Sequence, residues 1–256
     1  MNFFQVNLTA AVLILVILLF RLLTISRLPK RVFLFLWAIV FCRLLLPFFV
    51  TLPAWPVENG FSAVAQKLDQ IGKSILTQAK VNSVSDNLAS HILLVIWLTG
   101  VAAVFLAFLF LYVLNIRKLA DAIPIKNTVW LDEWLAAQKL RRPLRLLYSD
   151  RVVSPVCFGI FLPRIILPAS LKLENTESLK FMLLHEMVHI RRFDAIWKLL
   201  LAVTCCAYWL NPAVWVFGYF FDRDLELSCD ERVLRRFKSD KREAYANTLV
   251  GMAASV

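Results

Sequence analysis

Apolar positions along the chain fall into long unbroken runs and shorter runs in which they recur every third or fourth residue. Residues 8–25, 32–52 and 92–115 are of the first kind. Each approaches the roughly 20 apolar residues that cross a bilayer as one helix, so the pattern predicts three transmembrane helices. The first run carries no small-residue cleavage signature and is followed at once by the second, which marks it as an anchor. In the intervening loop, residues 53–91, Phe61, Val64, Leu68, Ile71, Ile75 and Leu76 recur at helical spacing. They stand opposite Gln66, Lys67, Asp69, Gln70 and Lys73, which predicts an amphipathic helix lying on the membrane beside Trp55.

Past residue 115 the pattern shortens. Residues 128–140 read as a helix with Trp130, Leu131, Trp134 and Leu135 on one side, stopped by Pro143. Three β-rich runs follow at 144–148, 152–161 and 164–167, punctuated by Ser149-Asp150, Gly159 and Pro163. Leu179, Met182, Leu183, Met187 and Ile190 then return to helical spacing. Residues 194–221 are apolar again, but Asn211-Pro212 interrupts them as an N-cap followed by proline at the first helical position. This predicts a membrane-dipping helical hairpin with arms 195–209 and 212–221; a single proline-kinked span is the competing reading. Helices at 222–237 and 240–256 complete the chain. The last has Tyr245, Leu249 and Met252 on one side and no capping signal, as expected if the natural protein continues.

The expected fold is therefore a mainly α membrane protein with a transmembrane region, 1–115, and a second domain, 116–256, holding a small β-sheet and the hairpin. A content of 60% hydrophobic residues agrees with integral membrane character. The net charge of +11 raises nucleic acid as a partner, but the basic residues sort by position relative to the apolar runs. Arg21, Arg27, Lys30 and Arg31 crowd the turn after the first run, and residues 1–10 contain no Lys or Arg. By the positive-inside rule that turn is cytoplasmic and the N-terminus is outside. The loop 53–91 is then external, with only Lys67, Lys73 and Lys80, and everything after the third run is internal, starting with Arg117 and Lys118. The implied surroundings are a lipid bilayer, with no nucleic acid. Arg43, near the middle of the second run, must face protein or water or snorkel to an interface. The five cysteines form no C-x-x-C pair and read as small buried hydrophobes.

The chemistry concentrates in His185-Glu186-Met187-Val188-His189, which uses two of the three histidines in the chain. Four residues apart on a helix, His185 and His189 share one face and can reach a single Zn²⁺, while Glu186 beside them serves as the general base. A catalytic zinc needs a third ligand, and Glu226 is the best candidate. One crossing by residues 194–221 would carry it about 30 Å away, and two crossings would need about 40 residues, so a hairpin is the arrangement that returns it. Asp230 lies one turn beyond Glu226 and is placed to accept the other ring N–H of a ligand histidine. The sheet ahead of the metal helix offers an edge, at Val152, Val153, Ser154 and Val156, to hold a substrate backbone extended. The sequence singles out no oxyanion-stabilising side chain; Tyr245 is a guess, since an outlying tyrosine is more often packing than chemistry.

On these residues, together with Arg192, Asp194, Trp209-Leu210-Asn211-Pro212, Glu226-Leu227-Ser228-Cys229-Asp230, and Ser154-Pro155 with Gly159, Pro163 and Ile166-Leu167-Pro168, the chain resembles the BlaR/MecR family of bacterial membrane zinc metallopeptidases. Those proteins are the beta-lactam sensor-transducers and their relatives. The resemblance implies a gluzincin-type site with His185, His189 and Glu226 on one zinc per chain and Glu186 as base. It also implies a multi-pass protein of the bacterial cell membrane with its site facing the cytoplasm. The substrate would be a cytoplasmic or membrane-proximal protein, such as a transcriptional repressor, or the protein itself. The sequence has no Ser-x-x-Lys nucleophile motif, so beta-lactam sensing is not expected of it. A homo-oligomer is compatible with the sequence. The rival reading is a non-catalytic membrane signal transducer with a structural metal site. A transporter or channel would need more spans and more intramembrane polar residues than Arg43 alone.

Overall fold

The computed structural model describes residues 3–25, 27–46, 83–119, 121–125, 129–138, 140, 142–169, 176–237 and 239–254. The amphipathic helix expected at 61–76, and Trp55, lie outside them. The described elements run α1 (Phe3–Thr24), α2 (Lys30–Leu45), α3 (Ser83–Leu119), β1 (Ile123–Pro124), α4 (Val129–Ala137), β2 (Arg145–Ser149), β3 (Val156–Phe158), β4 (Arg164–Pro168), α5 (Thr176–Arg192), α6 (Asp194–Ala207), α7 (Pro212–Leu234) and α8 (Ser239–Ala254).

The described residues contain two helices long and apolar enough to cross a membrane, Gln5–Thr24 in α1 and His91–Leu119 in α3, where the sequence predicts three. The second run differs because α2 is 16 residues long, which at 1.5 Å per residue is about 24 Å. Leu46 leaves helical geometry at φ −115°, ψ 49°, as a residue followed by proline tends to do. Residues 47–52 lie outside the described part. Arg43 finds a partner inside the protein: its Nη2 donates to Thr9 Oγ1 on α1 at 2.8 Å.

Residues 194–221 do fold as a hairpin. Helix α6 ends at Ala207, the chain turns through Tyr208–Leu210, and α7 starts at Pro212 with Asn211 Oδ1 accepting the Ala213 N–H at 3.0 Å. The sequence pattern separates an arm at 212–221 from a helix at 222–237, but the two are one continuous α7 of 23 residues. No residue between 213 and 234 is a helix breaker apart from Gly218, which a helix tolerates. The hairpin packs on α1 and α2 in one core built from Ile14, Ile17, Trp37, Phe41, Phe217 and Phe221. Phe41 meets Phe217 and Phe221 edge to face, at 4.9 and 5.1 Å. Helix α3 joins through α6 and its turn: Trp97 Nε1 donates to Ala207 O at 3.2 Å, and Gly100 lies so close to the Trp209 indole that a Cβ there would come within 2.1 Å of it.

The sheet has order β1-β2-β4-β3, with β2 and β4 parallel and both outer strands antiparallel to their neighbours. Its buried Leu146, Ile165 and Leu167 pack on Leu179, Leu183 and Ile190 of α5, with Leu131 of α4 beneath. Gly159, at φ 93°, makes the turn from β3 toward β4, where a Cβ would lie 2.6 Å from Leu162 O. The strand expected at 152–161 is shorter than its pattern. Val152 lies outside any strand and Val153 and Ser154 sit in a bend, because Ser149 Oγ accepts the Arg151 N–H to hold a turn and Pro155 has no N–H to offer a ladder. The edge strand begins at Val156.

Candidate active site

Helix α5 is surrounded on most sides. Leu179 and Leu183 face the sheet, and Phe181 and Val188 face α7 and α8 through Cys229, Val233 and Tyr245. The remaining face, with Met182, His185, Glu186 and His189, opens into a cleft of about 420 Å³. The β3 edge with Ser154 and Pro155 lines that cleft, as do Phe193, Ile196 and Lys198. Glu226 reaches in from α7.

The donor atoms converge. His185 Nε2 and His189 Nε2 stand 3.1 Å apart, and Glu226 Oε2 lies 3.6 and 3.2 Å from them. An ion bound tetrahedrally at about 2.0–2.1 Å requires its ligand atoms to be roughly 3.3–3.4 Å apart, and the three observed edges bracket that value. His185, His189 and Cys229 also cluster, with candidate ligand atoms within 4.8 Å of one another. Cys229 fits less well as a ligand. Its Sγ faces the far side of the ring, 3.8 Å from His185 Nδ1, and donates to His185 O at 3.4 Å. Cys229 is buried, as expected of a small hydrophobe, and packs behind His185.

Each histidine is oriented through its Nδ1. His185 Nδ1 lies 3.1 Å from Asp230 Oδ1 and 3.0 Å from the Tyr245 hydroxyl, which itself donates to Asp230 Oδ1 at 2.9 Å. Asp230 and the Tyr245 hydroxyl thus stand together at the Nδ1 side of the ring, away from the cleft. That position favours a role for Tyr245 behind the histidine over one at an oxyanion. His189 Nδ1 lies 2.7 Å from Asp194 Oδ2. The chain achieves this by breaking between α5 and α6 at Phe193, a non-glycine residue at φ 58°, which folds Asp194 back onto the helix just ended. Such a conformation costs of order 1–3 kcal/mol and needs support. Arg142 supplies it, stacking 3.9 Å over the Phe193 ring and donating to Ile160 O and Ile190 O. Arg142 does not stand out in the sequence, and Asp194 enters the sequence reading only through the family resemblance, without a role.

Burial pushes the Glu186 carboxyl above its ordinary range, against the pull of both imidazoles. Burial opposes charge on the histidines, but the neighbouring acids and Cys229 outweigh it: Asp230 and Glu226 lift His185, and Asp194 and Glu226 lift His189 to about 11. Glu226 is held well below the carboxylate range, against burial, by the two histidines and Lys198. Lys198 Nζ stands 3.3 Å from Glu226 Oε1 and 3.1 Å from Asp222 Oδ1, leaving Oε2 to the histidines. Cys157, on β3, has its thiol held protonated by burial and by the charge of Glu186 beside it.

Two imidazoles and a carboxylate meeting at one point, with a buried glutamate next to them, are donors that could hold a metal ion. The chain belongs to the BlaR1 peptidase M56 family, whose model matches residues 1–256. It is similar to regulatory protein BlaR1 of Bacillus licheniformis, 28% identical over 158 residues that make up 60% of this chain and 26% of that protein. It is also similar to the methicillin resistance mecR1 proteins of Staphylococcus aureus and Staphylococcus epidermidis. Each is 25% identical over 204 residues, covering 76% of this chain and 34% of the relative. The matched part thus spans about a third or less of these relatives' length.

Proposed function

We propose that the chain is a membrane-embedded zinc metallopeptidase of gluzincin type, with His185, His189 and Glu226 as ligands and Glu186 as general base. The observation that carries this is the triangle of Nε2, Nε2 and Oε2 atoms with edges of 3.1, 3.2 and 3.6 Å, opening on a cleft beside Glu186. A zinc ion held there supplies a Lewis acid that polarises a peptide carbonyl and brings the pKa of a water toward about 7.

Glu186 takes the proton from the attacking water and delivers it to the leaving amine. Its raised pKa suits both halves of that transfer, since a carboxylate nearer neutrality holds the proton longer. Asp230 with Tyr245, and Asp194, keep the imidazoles turned with Nε2 toward the cleft. The β3 edge from Val156 to Phe158 lies along the cleft, and an extended peptide adds to it as a further strand, with Val152, Val153 and Ser154 at its approach. The substrate is a protein on the cytoplasmic or membrane-proximal side, and its cleavage serves signal transduction, in keeping with the regulatory and resistance names of the relatives.

The test is zinc content and cleavage of cytoplasmic proteins by the wild type against Glu186→Ala. Bound zinc in both, with cleavage only by the wild type, is expected. Equal cleavage by both sinks the proposal and leaves a signal transducer with a structural metal site.

A further inference from the structure

Helix α7 carries two sets of acids on opposite faces. Glu226 and Asp230 point to the histidines, while Phe217, Phe221, Asp224 and Glu231 line the face toward α1 and α2. On that second face the polar contacts are strong and buried. Arg21 grips Asp224 through Nε at 2.9 Å and Nη2 at 2.8 Å, and Trp37 Nε1 donates to Asp224 Oδ2 at 2.8 Å. Arg21 is 3% exposed and Asp224 is 0% exposed. Two turns on, Glu231 Oε2 accepts the Lys30 N–H at 2.9 Å and so caps α2, whose own N-cap, Pro29, has no side chain able to do it. Arg21, counted from the sequence among the charges of the turn, also makes this contact.

A buried ion pair is a poor device for stability alone, because apolar residues of similar volume are often as good or better. Orientation is what it adds. A side chain extends about 6 Å from a helix axis, so a roll of about 10° moves its tip by about 1 Å. Metal-ligand distances tolerate only about 0.2 Å. The roll of α7 therefore decides whether Glu226 completes the site, and Asp224, two residues before it, is where that roll is clamped.

Resting on the zinc-site reading above, we propose that Arg21 and Trp37 are positioning residues for the metal centre: by clamping Asp224 they let the first two helices set whether Glu226 stands in ligating position. The experiment uses the full chain in detergent micelles, with zinc affinity measured by competition against a chromophoric chelator and fold followed by far-UV circular dichroism. Trp37→Phe removes one hydrogen bond and keeps a ring against Phe217. The triple variant Arg21→Met, Trp37→Phe, Asp224→Leu removes the clamp without leaving a buried charge. Lys241→Gln, in an exposed pair with Glu177, is the control.

Wild-type helicity with zinc affinity reduced about tenfold or more in the triple variant, and severalfold in Trp37→Phe, is the expected result. Folded variants that bind zinc within about twofold of the wild type and of the control overturn the proposal. If the triple variant does not fold, Trp37→Phe decides by the same criterion. A wild type that takes zinc but hydrolyses nothing removes the peptidase reading alone, whereas one that takes no zinc removes both.

Discussion

His189 meets Asp194 at 2.7 Å through Nδ1, across the left-handed break at Phe193, and this contact selects the nitrogen that faces the cleft. Arg192 Nε stands 3.2 Å from the other Asp194 oxygen, close enough for attraction but not aligned for a hydrogen bond. Asp194→Asn keeps the shape and removes the charge that fixes the ring. Zinc affinity, measured by chelator competition, is expected to fall about 10- to 100-fold. An unchanged affinity would show that packing alone orients His189.

Tyr245 offers a sharper discrimination, because two roles for it make opposite predictions. Its hydroxyl bridges His185 Nδ1 and Asp230, and its ring packs on Phe181 and Phe237 at 5.9 and 6.2 Å. Tyr245→Phe keeps the ring contacts and removes the bridge. Held behind the histidine, the hydroxyl should affect zinc affinity, by several-fold, and leave kcat at saturating zinc within about tenfold of the wild type. A large loss of kcat with unchanged zinc affinity would instead place Tyr245 at the reacting carbonyl.

The metal-free site sets a pH dependence. With the two Nε2 atoms facing each other at 3.1 Å, one proton lies between the rings of the metal-free site; His189, its pKa raised to about 11, keeps its charge at neutral pH and with it the attraction to Asp194 and Glu226. Raised histidine pKa values contribute stability that is complete below the unfolded value of about 6.5 and is lost as pH climbs through the folded one. The metal-free protein should therefore lose this contribution between about pH 6.5 and 11. Zinc must displace the proton between the rings, so its affinity should rise between about pH 6 and 8, by about tenfold per unit for each proton released. Isothermal titration in two buffers of different ionisation enthalpy counts those protons; a count of zero would mean the histidines are already neutral.

The sequence was most legible where one local rule decided the outcome. His185 and His189 share a face because helical spacing requires it, and Asn211-Pro212 turns the hairpin because capping and a missing N–H act within three residues. The requirement that Glu226 return to the histidines then gave the global arrangement. What escaped depends on long-range partners: Arg21 against Asp224 is a contact across 203 positions, which charge sorting reads as topology. The loss of strand at Val152–Ser154 escaped for a different reason. β-branched residues there carry strand propensity, and a side-chain-capped turn with Pro155 overrides it.

Lys198 is the single cation in an otherwise apolar arm, and it bridges Asp222 and Glu226 at 3.1 and 3.3 Å. All three side chains are roughly half exposed, so the bridge contributes at most about 1 kcal/mol to folding. Its consequence is geometric. With Oε1 tied to Lys198, Glu226 presents Oε2 alone to the histidines, and loss of the tie lets the carboxylate swing out of the triangle. Lys198→Met should leave the thermal unfolding midpoint almost unmoved while zinc affinity falls severalfold. Lys198→Arg should recover most of the loss, because a guanidinium can span both carboxylates. Salt separates this from a packing effect: near 1 M the screening length shrinks to about 3 Å, so the wild type should lose its advantage over Lys198→Met. If the difference between the two survives in high salt, the alkyl stem rather than the charge holds Glu226 in place.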